Sequence, residues 1–407
     1  MSFIKENIQL KKNLEPIIMG LSACLLAGIF YSKAVTTICT IGLSVVALRF
    51  ITFEKIKDFF KDKKMMPFLF VFLASFLSGS YSDNQELWQT ALRVKLPFLI
   101  LPFAFFLLPK IKEQLVIQLH YWLIVVVVVV SLPVLTHALI NYDSMIDLLS
   151  KGQAIPTPIE HVKYSMFNAY AAIAGLFLIR KEDQLSSTLK VMLIIAVVFI
   201  IFKLHFLAVR TGLVIFYLSL FGYCIVELIK GASGKKTLIV FIVAIALPII
   251  TLKLSPTLQQ KMGYMNHDWL QYKKDVGHQY SDSERIMSYK AALHMIGSNP
   301  LLGVGYGDVI EEAHVYYDQT YKRQDLFKLP HSQYLLTLAG SGLLGFIIFM
   351  VGFFTPLLNK KLKTKTGTLL LLLYLNYSIS FLVENSLERS ISVAFFLLFA
   401  LLLLKAE

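Results

Sequence analysis

Runs of about 20 apolar residues recur along this chain, and no other feature restricts its fold as strongly. That length crosses the hydrocarbon of a bilayer as an α-helix. Inside lipid only helices and closed barrels satisfy their own backbone polar groups. The alternating short strands of a barrel are not found. Of the 407 residues 56% are hydrophobic and 16% charged, with a mean hydropathy of +0.65. One soluble core cannot bury so much apolar surface. The expected fold class is therefore all-α, a polytopic integral membrane protein.

The apolar runs number about 12 by length: 16–32, 34–53, 65–80, 96–109, 119–140, 164–180, 190–209, 212–229, 237–253, 332–357, 367–384 and 389–405. The net charge is +13. In a soluble chain that excess suggests nucleic acid. Here it collects in short loops: "EKIKDFFKDKK" (54–64), "KIK" (110–112), "RKED" (180–183), "KGASGKK" (230–236) and "NKKLKTK" (359–365). With twelve spans all five loops and both termini fall on one side, which the positive-inside rule makes the cytoplasm. The other side receives loops around 81–95 and 141–163 and the much longer segment 254–331. The expected organisation is membrane helices over 1–253, an extracytoplasmic loop domain over 254–331, and membrane helices over 332–407. Cys24, Cys39 and Cys224 lie in apolar runs without disulfide or metal spacing. No cleavable signal peptide is read at the basic start, and no internal repeat is seen.

Four stretches carry candidate chemistry. In "FLAVRTGLVIF" (206–216), Arg210 sits at the outer end of the seventh run. A guanidinium there either snorkels to the interface or meets an anion, and it stands on the wrong side for a positive-inside marker. In "SDSERIMSYKAALHMIGSNPLLGVGYGD" (281–308), Asp282 or Ser283 offers N-cap chemistry. Ile286, Ala292, Leu293 and Ile296 follow at helical spacing, Arg285 sits in the first turn, and Asn299-Pro300 ends the helix. The glycines of "GVGYGD" either form a simple turn or cradle phosphate, although they follow a helix and no Gly-Lys-Ser comes after them. The helix itself is equally read as lying on the membrane surface. His331, before the tenth run, is an interface residue or a group able to take a proton near neutrality. His161 and Tyr164 open the sixth run, and Arg93, Lys95 and Lys163 are basic on the same side. Glu384 and Glu388, also outer, suit holding a basic residue in place. No carboxylate pair suggests a glycosidase, and no Asp-x-Asp or histidine cluster suggests a metal.

Together "LAVRTGL", "SERIMSYKAALHMIGSNPLLGVGYGD" and "LPHSQYLLTLAGSGLLG" resemble the O-antigen ligase and O-antigen polymerase superfamily of bacterial cell-envelope enzymes. Order, spacing and topology agree over roughly 190–357. The resemblance implies a GT-C type glycosyltransferase of the inner membrane with its site facing the periplasm. The implied donor is a glycan on undecaprenyl diphosphate, and the implied acceptor is lipid A–core or another glycan. No metal or other cofactor, and no nucleic acid, is implied. Carried over, Arg210 and Arg285 match the arginines that hold the diphosphate, and His331 the histidine that activates the acceptor hydroxyl. Arg93, His161 and Tyr164 have weaker counterparts. Family members often write the last motif His-Asn; here Ser332 follows His331.

Such chemistry asks for arginine's permanent planar charge on phosphate oxygens and for a base beside it. A flippase of the same lipid-linked glycan is a different class with the same anion. It needs basic groups along a path reaching both sides, whereas here they gather on one side. A polymerase or a protein O-glycosyltransferase differs only in acceptor.

Overall fold

A computed structural model describes residues 2–181, 185–229, 231, 234–274 and 281–406. Among them the regular structure is helical, with no β-strand and a single isolated bridge between Ile111 and Ala406. The helices are α1 Ser2–Tyr31, α2 Lys33–Leu48, α3 Phe53–Phe59, α4 Phe68–Phe76, α5 Gln85–Lys95, α6 Pro97–Leu107, α7 Glu113–Ile140, α8 Tyr142–Ser150 and α9 His161–Lys181. There follow α10 Ser187–Phe206, α11 Arg210–Ile229, α12 Gly234–Leu254, α13 Pro256–Lys273, α14 Ser281–Ser298, α15 Val309–Tyr321, α16 Gln333–Leu358, α17 Lys365–Val383 and α18 Ser390–Lys405.

Eight helical stretches are long and apolar enough to cross a membrane: Leu14–Tyr31, Gln85–Leu107, α7, α9, α10, α11, α16 and α17. Four apolar helices are shorter, namely α2, Phe68–Ser80, Ala244–Leu254 and α18. Every apolar run read from the sequence falls on one of these twelve stretches. The chain is thus a multi-pass helical membrane protein. One boundary differs. The outer loop expected around 81–95 is helical from Gln85, because the Asn84 side chain caps Leu87 N–H at 3.0 Å and Pro97 lacks only a donor that a helix start leaves unpaired.

Helices α9 and α18 form the centre, apolar on nearly every face as a fully enclosed helix must be. Phe167 of α9 stacks on Phe395 of α18 with ring centroids 4.1 Å apart. Around them α7, α10 and α11 turn Val125, Val129, Val191, Ile195, Val198 and Leu218 outward. Water would penalise such a continuous apolar belt, and acyl chains suit it. One end of the bundle brings together the basic loops 54–64, 110–112 and 359–365, while 180–183 and 230–236 lie partly outside the described residues. There Lys112 pairs with Glu15 at 3.2 Å, Lys405 donates to Phe106 O at 2.8 Å and Lys360 to Ala406 O at 3.1 Å. The opposite end carries a second, smaller core of Met287, Ala291, Ala292, Met295, Tyr306, Val309, Ala313 and Tyr317 with Leu336 and Ala339 of α16. Helix α14 is packed against α15 and α16. Its buried face is Met287, Ser288, Ala291, Ala292 and Met295, while Leu293 of the expected apolar face is 58% exposed.

Candidate functional site

The break between α10 and α11 sets Arg210. Ala208 takes a left-handed φ of +51° and is fully buried, a backbone state that surrounding packing must hold for a residue with a Cβ. Helix α11 restarts at Arg210. Across from it, the start of α14 is capped by a residue of another helix. The buried Asp268 of α13 accepts from the N–H of Asp282 at 2.8 Å and of Ser283 at 3.3 Å, and from the Ser283 hydroxyl. The expected capping residues Asp282 and Ser283 are thus the capped ones, which leaves the Asp282 side chain for another use. Arg210 grips it with both arms, Nη1 to Oδ2 at 2.6 Å and Nη2 to Oδ1 at 2.8 Å. Arg285, three residues along α14, reaches the same Oδ1 at 3.4 Å. Two guanidinium groups from separate segments converge on one carboxylate.

His331 stands between α14 and the α17–α18 link. Its N–H donates to Ser288 Oγ at 3.1 Å, and its carbonyl accepts from the Tyr289 hydroxyl at 3.3 Å. Ser332 caps α16 through Leu335 N–H and donates to Phe381 O at 2.9 Å. Serine thereby does a capping task that asparagine also suits. His331 Nδ1 is buried without a hydrogen-bond partner and lies 4.0 Å from Glu384 Oε2. Glu384 in turn takes a 2.8 Å contact from the buried Lys163. Burial pushes the Glu384 carboxyl up, but Lys163, then His331 and Arg285, bring it below the ordinary carboxylate value. Burial pulls the His331 imidazole below its ordinary value; Glu384 opposes that, while Arg285, Lys328 and Lys163 reinforce it. A neutral imidazole facing a fixed negative charge results.

The glycine turn proves to be a fastening. Val304 N–H donates to Ala339 O at 2.8 Å and Gly305 N–H to Gly340 O at 3.1 Å, while Pro300 and Leu301 carbonyls accept from Leu343 and Leu344 N–H at 2.9 and 3.2 Å. Helix α16 kinks at Gly342 (φ +61°) to present these groups. A Cβ on Gly342 would meet the Leu301 backbone at 2.3 Å, and one on Gly303 (φ +74°) would meet Ala339 O at 2.4 Å. With Val304 and Gly305 N–H given to α16, a phosphate-cradling role for this turn is set aside. What the turn does is lock the end of α14 to α16, which fixes Arg285 relative to His331.

These groups line one cavity of ≈ 230 Å³, with Arg210, Arg285, His161, His331, Glu160, Glu384, Lys261 and Lys328 on its walls. It is smaller than the about 300–1,000 Å³ of whole-ligand sites, so it suits a compact anion and one sugar hydroxyl rather than a glycan. Lys261 donates to Gln153 O at 2.7 Å; burial, then Arg210 and Arg285 against Asp282, brings its ammonium down to about 8. Four basic groups and the carboxylates of Glu160, Glu284 and Glu384 therefore face one small space, with Lys328 paired to Glu284. A larger cavity of ≈ 770 Å³ between α7 and α10, bordered by Glu113 and Lys365, holds none of the candidate residues.

Arg210, Arg285, His331 and His161 are brought together. Tyr164 and Arg93 do not line the cavity. Tyr164 is buried in the bundle, its hydroxyl 3.0 Å from Ser131 Oγ and 3.2 Å from Lys203 Nζ. Arg93 is exposed on α5; a helix face, not an open loop, carries it outward. Lys203 also donates to Asn168 Oδ1 at 2.8 Å, and His205 contacts the Tyr217 hydroxyl, so both serve the bundle's interior. Lys95 is held by Glu388 at 2.6 Å. The sequence reading passed over Lys261, Lys328 and Glu160, which nothing in their local pattern marks. Asp282 had a signal, an acidic residue three positions before Arg285 on one helix face.

The fold and this site define a membrane-embedded protein with a small cavity lined by Arg210, Arg285, Lys261 and Lys328 together with Glu160, Glu284 and Glu384. Residues 186–350 match the family model described as O-Antigen ligase, and over that stretch the chain is similar to this family. Both arginines and His331 fall inside the matched stretch. A comparison with curated proteins finds no match.

Proposed function

We propose that the protein transfers a glycan from an undecaprenyl-diphosphate carrier to an acceptor hydroxyl, with lipid A–core as acceptor, at the periplasmic face of the bacterial inner membrane. The observation that carries this is the meeting of Arg210 and Arg285 on a single carboxylate at the rim of the cavity that His331 lines. In this reading twelve spans put both termini in the cytoplasm, and 254–331 forms the periplasmic domain. The diphosphate takes the arginine site, the polyprenyl tail stays in lipid, and the sugars project outward.

The chemistry follows from the charges. Arg210 and Arg285 neutralise the diphosphate as the bond from anomeric carbon to phosphate oxygen breaks, and that oxygen leaves with the electron pair. His331 removes the acceptor proton as the new carbon–oxygen bond forms from the opposite face, so the anomeric centre inverts. Glu384 steadies the imidazolium, and the 4.0 Å gap to Nδ1 leaves room for that contact to tighten. Lys163 keeps Glu384 ionised. No step is assigned to a divalent ion.

The test is reconstitution of the full chain in proteoliposomes with a lipid-linked glycan and three separate acceptors: lipid A–core, a second lipid-linked glycan, and a protein. Transfer to lipid A–core, undiminished by EDTA, is expected. Product only on the second lipid-linked glycan would make the enzyme a polymerase. Movement of intact donor across the bilayer without any product would make it a transporter.

A further inference from the structure

We propose that Asp282 is a built-in stand-in for the donor's phosphate: its carboxylate occupies the two guanidinium groups in the resting protein and yields them when a diphosphate arrives. This rests on the diphosphate reading above and adds a residue that competes with the substrate for the same arginines.

Three features carry it. The contact of Arg210 with Asp282 is two-pronged, the arrangement a guanidinium also makes with two phosphate oxygens. A diphosphate therefore cannot take Arg210 in that geometry while Asp282 keeps it. Second, the side chain is free to leave while its helix stays. The Asp282 N–H is tied to Asp268, which is fully buried and fixed by its bonds to the start of α14. The Asp282 carboxylate is 23% exposed. Exchange then needs a rotamer change of one short side chain and leaves Arg285 in place. Third, Arg210 stands at the border of two cavities. It borders the cavity of His331 and also a second cavity of ≈ 320 Å³ lined by Asp282, Met265, Asn266, Trp269 and Tyr272. Neither is large enough for a diphosphate bearing a sugar on one arm and a prenyl chain on the other. Asp282 lines the second of them and holds the arginine that borders both.

The carboxylate also offsets the positive charge gathered around it. Arg210, Arg285 and Lys261 crowd together, and the effect of Asp282 on Lys261 opposes that of both arginines. An anion of greater charge, arriving from the membrane, replaces that of lesser charge.

The experiment is binding of inorganic pyrophosphate to the purified full chain in detergent, by calorimetry, together with KM for the lipid-linked donor. Asp282→Asn and Asp282→Ala are expected to bind pyrophosphate about fivefold more tightly than wild type, the factor set by relieving competition from one partly exposed ion pair. KM for donor falls in parallel, and Asp282→Glu shows no gain. Equal or weaker pyrophosphate binding in Asn and Ala variants, with wild type binding normally, overturns the stand-in while leaving the donor reading intact. Loss of folding in both variants, read from thermal unfolding, makes Asp282 a structural tie and also overturns it. No binding of pyrophosphate or of donor to wild type removes the diphosphate reading itself.

Discussion

Lysine in place of Arg210 keeps the charge and removes the fork, which separates geometry from electrostatics. Arg210 makes two charged contacts with Asp282, at 2.6 and 2.8 Å, and would present the same two donors to a diphosphate. A lysine ammonium is a point charge and replaces one of them. The lost charge-assisted bond is worth about 1.5–3 kcal/mol. At about 1.4 kcal/mol per tenfold, kcat/KM for the lipid-linked donor should fall roughly 10- to 150-fold. Arg285 makes one contact at 3.4 Å, so Arg285→Lys should lose less, on the order of tenfold or under. The assay is donor-dependent glycan transfer in proteoliposomes containing equal amounts of each variant. Arg210→Lys activity within roughly threefold of wild type, at matched insertion, would refute the two-pronged phosphate grip.

Other consequences are as specific. Glu384 raises the His331 pKa against burial; Glu384→Gln removes that support, so the acid limb of the kcat/KM–pH profile should move to lower pH and the plateau should drop. An unmoved or upward-shifted limb would disconnect the two residues. Lys95 and Glu388 are an almost fully buried pair 2.6 Å apart, and Lys95→Met leaves a carboxylate without its counter-charge. Thermal unfolding in detergent should show a loss of about 3–5 kcal/mol, largely recovered when Glu388→Gln is added; a loss below about 1 kcal/mol counts against the buried pair. Gly342→Ala forces a Cβ to within 2.3 Å of the Leu301 backbone and should abolish transfer and lower the unfolding temperature. Gly20→Ala, with open space around it, should leave both unchanged, and equal behaviour of the two would discount the glycine fastening.

Much of the framework was legible because it depends on local quantities. Apolar length marks a helix regardless of what it packs against, so each apolar run from 16–32 to 389–405 falls on a helix. Loop lysines mark one end because charge avoids lipid wherever it stands in the chain. Arg210 announced itself by cost, a guanidinium among apolar neighbours. Where local reading erred, a distant partner had intervened. Residues 85–95 are helical because Asn84 caps them, and the inward face of α14 was chosen by α16 rather than by its own apolar spacing. The glycines of 303–305 looked like a possible phosphate loop because spacing cannot reveal which carbonyls will take their N–H groups.

The sequence by itself determined a helical membrane chain and made Arg210 suspect, both from the free energy of placing a residue type in lipid or at its edge; Arg285 and His331 were singled out by the family resemblance. Only the tertiary structure decided that Arg210 and Arg285, 75 residues apart in number, share Asp282, and that Lys163, Glu384 and His331 form a line. It also decided that Tyr164 turns inward and Lys261 joins the cavity. Those outcomes depend on distances across helices, and Coulomb and hydrogen-bond energies act through space, a separation that position along the chain does not encode.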